Sequence, residues 1–183
     1  MFQKLIKRIA SELQRVKIPY MIIGGQAVLI YGEPRLTKDI DITLGINVDE
    51  LDKLKEVIHT VNLTVLVNNP EKFAKDTMVL PTLDDESKIR VDFIFSFSLY
   101  ENEALKRTNN IKIKGKTVRF ASLEDVIIHK IISGRARDLE DIRIIILKNP
   151  VYDKSYIEKW LGEFDHSLSK KFTQLFHKII SEL

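Results

Sequence analysis

Between residues 20 and 44 the chain reads as strand, glycine pair, short helix and strand, and this unit constrains the fold more than any other stretch. Tyr20 to Ile23 is a brief apolar run that stops at Gly24-Gly25, the pattern of a buried strand running into a turn. Gln26 to Tyr31 predicts a short helix, closed by Gly32 and broken by Pro34. Lys38 to Leu44 alternates charged and apolar residues, the period of a strand with one solvated face. Two glycines thus lie at a strand end where a helix begins. There the backbone can approach a ligand closely, and the first N–H groups of the helix offer a phosphate free donors and a positive dipole end. The segment is not a P-loop, because no G-x-x-x-x-G-K-[ST] follows the pair.

The second strand carries the chemistry. In Asp39-Ile40-Asp41-Ile42 alternate side chains share a face, so Asp39 and Asp41 point one way and the isoleucines point into the core. Carboxylates this close repel each other and raise a pKa unless a cation sits between them. A hard divalent cation such as Mg²⁺ takes oxygen ligands and keeps phosphate oxygens in its shell. Taken alone, a D-x-D pair is more often two solvated acids on an edge strand. Only thirteen residues separate Gly25 from Asp39, and that context favours the metal. A third acid, Asp92, lies in the run Ile89-Arg90-Val91-Asp92-Phe93. A lone carboxylate among such neighbours is costly to bury unless it faces a metal, and the alternative is an ion pair with Arg90 on the same strand face.

The rest of the chain supplies the frame. An amphipathic helix is expected from Phe2 to Val16, ended by Pro19, and another through Leu51, Leu54, Val57, Ile58 and Val61. Strands are expected over 63–67, 77–80 and 89–95, and a hairpin should pair Ile111 and Ile113 with Val118 and Phe120 around Lys114-Gly115-Lys116. From Ser122 the pattern is helical. Ser122 and Asp125 form a weak capping box, Gly134 stops that helix, Asp138 to Leu147 is a second, and two amphipathic helices complete the tail. The aromatic residues of the tail read as core rather than as a platform for stacking bases. These elements predict an α+β fold, with a catalytic core over 1–120 and a helical part over 121–183.

Composition narrows the class further. The 183 residues contain no cysteine, carry a formal charge of +3 and are 44% hydrophobic. That excludes a disulfide scaffold and is weak support for a nucleic-acid binder. The cluster Lys112, Lys114, Lys116 and Arg119 reads as a solvated hairpin before it reads as an RNA surface. No apolar run is long enough to cross a bilayer, the N-terminus lacks the core of a signal peptide, and a cytoplasmic location is expected.

The stretch GGQAVLIYGEPRLTKDIDITL resembles the signature of the DNA polymerase β-type nucleotidyltransferases: a glycine pair, about a dozen residues, then D-x-D on a strand, with a later acid matched by Asp92. Within that superfamily it is most similar to the small prokaryotic branch of AbiEii-type toxin-like proteins. Arg35, Thr37 and Lys38 fit that branch, and in EDVIIHKIISGRARDLEDI Lys130, Arg137, Asp138 and Asp141 fit its K…RD-x-x-D motif. The resemblance implies the nucleotidyltransferase fold, a mixed β-sheet flanked by helices and followed by a helical C-terminal part. It implies transfer of a nucleoside monophosphate from a nucleoside triphosphate to a hydroxyl-bearing acceptor by a two-metal mechanism. Asp39, Asp41 and Asp92 would hold Mg²⁺ or Mn²⁺. Gly24, Gly25, Lys38, Lys130, Arg137 and Asp138 would serve the nucleotide, with Lys130 taking part in catalysis. Asp138 and Asp141, three apart on a helix, share a face and could orient Lys130 or Arg137; the alternative is a purely structural salt-bridge network. RNA or protein is the implied acceptor, a cognate antitoxin an implied partner, and a toxin–antitoxin or phage-defence role the implied setting. The rival expectation is an inactive binding module, or antitoxin-like partner, that keeps the fold without catalysis.

Overall fold

The structure, a computed structural model, describes residues 1–34, 36–96 and 98–183. Arg35, singled out above, lies outside the described residues. Helix α1 (Phe2–Arg15) buries Leu5, Ile6, Ile9, Ala10 and Leu13 along one stripe, as its spacing requires. The chain then enters strand β1 (Tyr20–Ile23), helix α2 (Gly24–Tyr31) and strand β2 (Asp39–Leu44). Helix α3 (Leu51–Thr60) and strand β3 (Leu63–Val65) follow, then helix α4 (Pro70–Thr77), strands β4 (Val79–Asp84) and β5 (Ile89–Phe95), and helix α5 (Leu99–Lys106). The hairpin is β6 (Asn109–Ile113) and β7 (Lys116–Phe120). From there the described chain is helical: α6 (Leu123–Ser133), α7 (Ala136–Lys148), α8 (Lys154–Leu168) and α9 (Phe172–Ser181).

The described strands form one mixed sheet in the order β3-β4-β5-β2-β1-β7-β6. β2 is central, antiparallel to β1 and parallel to β5. The buried isoleucines of β2, Ile40 and Ile42, alternate with Asp39 and Asp41, so one face of this strand packs and the other is left for polar work. The hairpin turn has Lys114 and Gly115 both at positive φ, 48° and 80°, the left-handed pair that a tight two-residue turn demands. Its register places Ile111 opposite Val118 but Ile113 opposite Lys116, and Phe120 opposite Asn109.

Two expected strands are corrected. Thr77 is the last residue of α4, and Met78, at φ 59°, reverses the chain, so β4 begins at Val79 and runs to Asp84. β3 ends at Val65 rather than Val67. The tail aromatics behave as core. Trp160 and Phe176 are buried, and Trp160 and Phe164 stack edge-on against Tyr100, with ring centroids 5.3 and 5.2 Å away. Among the described residues no helix is long and apolar enough to cross a membrane.

Candidate active site

The site is assembled where β1 ends and β2 begins. In the sheet register Asp41 stands opposite Ile23 on β1 and opposite Asp92 on β5, and Asp39 stands opposite Arg90. Residues directly opposite share a face, about 4.8 Å apart across the ladder. Asp39, Asp41, Asp92 and Arg90 therefore project from the same side. Gly24 begins α2 at φ +61°, a conformation that costs any residue with a Cβ. Glycine is needed there for a second reason: a Cβ on Gly24 would fall 2.0 Å from Asp41 Oδ2.

The opposite wall comes from α6 and α7. Ser122 accepts the Asp125 N–H at 3.1 Å and starts α6. The buried Asp125 carboxylate in turn accepts hydroxyls from Ser122, Tyr100 and Tyr156 at 2.6, 3.0 and 3.0 Å. Gly134, at φ +63°, stops the helix. The chain then turns into α7, so that Lys130 meets Asp138 and Asp141. Lys130 Nζ lies 2.9 Å from Asp141 Oδ2 and donates to Asp138 Oδ1. Asp138 also accepts from Ser133 Oγ at 2.7 Å and from Arg135 Nε at 2.6 Å. Burial alone would raise the Asp138 pKa, but the Arg135, Lys130 and Ser133 donors outweigh it and hold the carboxyl down at about 2.

Between these walls lies a cleft of about 700 Å³. It brings together Gly24, Gly25, Lys38, Asp39, Asp41, Asp92, Lys130, Arg137 and Asp138, all of which line it. Their exposure differs. Lys38 and Arg137 are exposed, whereas Lys130 and Asp138 are buried. Asp141 stands behind Lys130, and His129 on the neighbouring helical position is half-buried against the Tyr100 ring, 5.6 Å between centroids. Leu36, Thr37 and Arg135 complete the lining. Gln26 Nε2 donates to Thr37 Oγ1 at 2.6 Å and so ties the start of α2 to the segment entering β2. Arg135 went unnoticed in the sequence because it reads as part of the Gly134 turn. Its signal is the spacing to Asp138, three residues on, which puts both on one face.

Asp41 is poorly compensated. Burial pushes the Asp41 carboxyl up to about 6, and the charges of Asp39 and Asp92 push the same way against the weaker pull of Lys130 and Arg135. Asp92 Oδ1 meets Arg90 Nε at 2.8 Å, so the ion pair weighed as an alternative is present. Among the described residues no three acidic or histidine side chains stand as a ready-made metal cage. In donor chemistry the set still fits an oxygen-seeking divalent cation: adjoining carboxylates, one of them driven toward protonation by burial and by its neighbours.

The fold has relatives among solved structures. The antibiotic-resistance factor ANT(2'')-Ia matches with a TM-score of 0.63 at 15% identity, over 96% of this chain and 95% of that one. The lincosamide antibiotic adenylyltransferase LnuA, solved with lincomycin bound, matches with a TM-score of 0.56 at 16% identity, over 78% and 94%. An antigenic nucleotidyltransferase-like protein from Paracoccidioides brasiliensis matches with a TM-score of 0.56 at 16% identity, over 90% and 87%. At such identities the likeness is one of fold. No curated protein matches the chain. Over residues 1–167 the sequence fits the model of a family described as nucleotidyltransferase of unknown function (DUF6036), and the chain belongs to that family.

Proposed function

We infer that the protein transfers a nucleoside monophosphate from a nucleoside triphosphate to a hydroxyl-bearing acceptor, with Asp39, Asp41 and Asp92 holding Mg²⁺ or Mn²⁺. The observation that carries this reading is the cluster of three carboxylates, with Asp41 under-compensated among them, facing a glycine-lined helix start within one cleft. An inactive binding module has no use for it: a carboxyl raised to about 6 is a destabilising group at neutral pH, tolerable when a ligand relieves it. The bound cation would neutralise triphosphate charge and the charge developing on the leaving group.

The chain's own residues do the positioning. The backbone at Gly24 and Gly25 and the N-terminus of α2 face the cleft, where they can receive phosphate oxygens. Lys38 and Arg137 add exposed positive charge at its edge. The acceptor oxygen forms its bond to the α-phosphorus as the bond to pyrophosphate breaks, and the hydroxyl proton passes to solvent water. Asp92, beside Asp41 in the register, belongs to the acceptor side of this arrangement. Engaging a ligand there requires the carboxylate to leave Arg90 or to share an oxygen with it. Reactions of this kind draw most of their acceleration from placement and charge.

The AbiEii-like motifs favour RNA or protein as acceptor, and with them a toxin–antitoxin or phage-defence setting. The fold shared with ANT(2'')-Ia and LnuA adds antibiotics as acceptors to be assayed. The test is incubation with each α-labelled nucleoside triphosphate and Mg²⁺, with total RNA, a protein lysate, an aminoglycoside or a lincosamide as acceptor. Label on one acceptor class from wild type, absent with Asp39→Asn/Asp41→Asn, is expected. A folded wild-type protein that labels nothing and binds no nucleotide would leave the inactive module standing.

A further inference from the structure

The cations of the cleft differ in what holds them. Lys130 is 5% exposed, and its ammonium is shared by Asp138 and Asp141. Pulling it toward a ligand would leave two buried carboxylates without their cation, the costly way to break a buried pair. Arg135 is the opposite case. Its side chain is 76% exposed. Nε donates to Asp138 Oδ2, and among the described residues the terminal nitrogens have no acceptor. Its charge acts on Asp41 and Asp39 across the cleft.

We propose that Arg135 is the cation that receives the nucleotide's polyphosphate, and that Lys130 is its mount rather than a phosphate ligand. The chain of support runs outward from the core. Lys130, on α6, fixes Asp138 on the first turn of α7, and Asp138 with Ser133 behind it pins Nε of Arg135. A guanidinium held by Nε has its outer edge left as a two-donor fork, the geometry that suits two phosphate oxygens. Arg137 also lines the cleft, but among the described residues no carboxylate aims it; its contact is a long one, 3.5 Å to the Leu36 carbonyl.

The assignment rests on the nucleotidyltransferase reading, and the test separates the two. Inorganic tripolyphosphate with Mg²⁺ serves as a probe independent of the base, measured by calorimetry beside the melting temperature. Arg135→Gln, which leaves Lys130 and Ser133 on Asp138, is expected to stay folded with a small drop in melting temperature and to lose about ten-fold or more in tripolyphosphate affinity, the scale of a charge-assisted contact. Lys130→Met with Asp141→Asn, which keeps the local net charge, is expected to melt lower yet lose less affinity than Arg135→Gln. Wild-type affinity in Arg135→Gln overturns the assignment while leaving the enzyme reading intact. So does an equal or larger loss in the folded Lys130→Met/Asp141→Asn protein, which would return the phosphate to Lys130. A wild-type protein that binds neither tripolyphosphate nor any nucleoside triphosphate removes both readings.

Discussion

Gly24 and Asp41 are two halves of one contact. A methyl at position 24 meets the end of the Asp41 side chain, at 2.0 Å from Oδ2 and 2.9 Å from Cγ, and a carboxylate is the softer party in such a collision. Gly24→Ala should therefore displace the acid as well as strain the backbone. The positive φ of +61° accounts for roughly 1–2 kcal/mol of lost stability, and metal-dependent nucleotide binding should fall far more than that. In an Asp41→Ala background the 2.0 and 2.9 Å collisions are gone and only the backbone cost and a 3.2 Å approach to the Cβ at position 41 should remain, a difference that a double-mutant cycle on melting midpoints reads directly. Equal costs in both backgrounds would mean that the contact is incidental. Asp92 is tested in the same way against Arg90. If it serves the acceptor side, Asp92→Asn should keep nucleotide affinity and slow single-turnover transfer at least ~10²-fold. If it serves only the exposed ion pair, Asp92→Asn should melt earlier, Arg90→Gln should rescue it, and turnover per folded molecule should hold.

At the scale of elements, β2 places two acids against a buried sheet, and the consequence is a pH dependence of known sign. Burial, with the charges of Asp39 and Asp92, pushes the Asp41 carboxyl in the folded state up to about 6 from its ordinary value of 3.8. A carboxyl raised on folding stabilises the fold when protonated, and that stability is lost as pH climbs from about 3.8 to about 6. In metal-free buffer the Asp41→Asn protein should gain on wild type across this window, by on the order of 2–3 kcal/mol at its top, and hold that gain above pH 7. Denaturant melts at several pH values check it, and a flat difference would deny that burial and repulsion raise this carboxyl. β2 was legible because alternation and the paired acids speak in one short run, and β1, β5 and α6 were legible for the same local reasons. Helices α4 and α5 were not anticipated, although Asn69 accepts the Lys72 N–H at 3.0 Å just before Pro70, and Glu101 accepts the Ser98 N–H at 3.0 Å. Each spans only eight residues and buries few of them, so the apolar periodicity that reveals a helix is too brief to see, and only the caps announce them. What the sequence could not carry was depth. Lys130 and Arg135 are basic residues five apart in one stretch, and only the packing of α6 on α7 sends one inside and leaves the other out.

For the whole molecule, the cleft lies between the sheet with α2 on one side and the α6–α7 pair on the other, and α2 packs against both of those helices. A nucleotide held there would touch Gly24 and Gly25 from one wall and the Arg135–Arg137 segment from the other, so its binding should report on both. A ligand that binds only the folded state stabilises it by about 2.7 kcal/mol at a hundred times its Kd. In a protein of 183 residues that corresponds to a rise in Tm of roughly 5–10 °C. The rise should require a divalent cation. Asp39, Asp41 and Asp92 otherwise present clustered negative charge to a negative triphosphate, and like charges at such range are repulsive by kcal/mol amounts in a partly desolvated site. Thermal melts with each nucleoside triphosphate, in Mg²⁺ and in EDTA, supply the first readout. Hydrogen exchange supplies the second: new protection should arise at residues 24–26 and 135–138 together, and only with the metal. Protection confined to one wall would place the nucleotide outside the cleft, and an equal rise in Tm in EDTA would remove the metal from binding altogether.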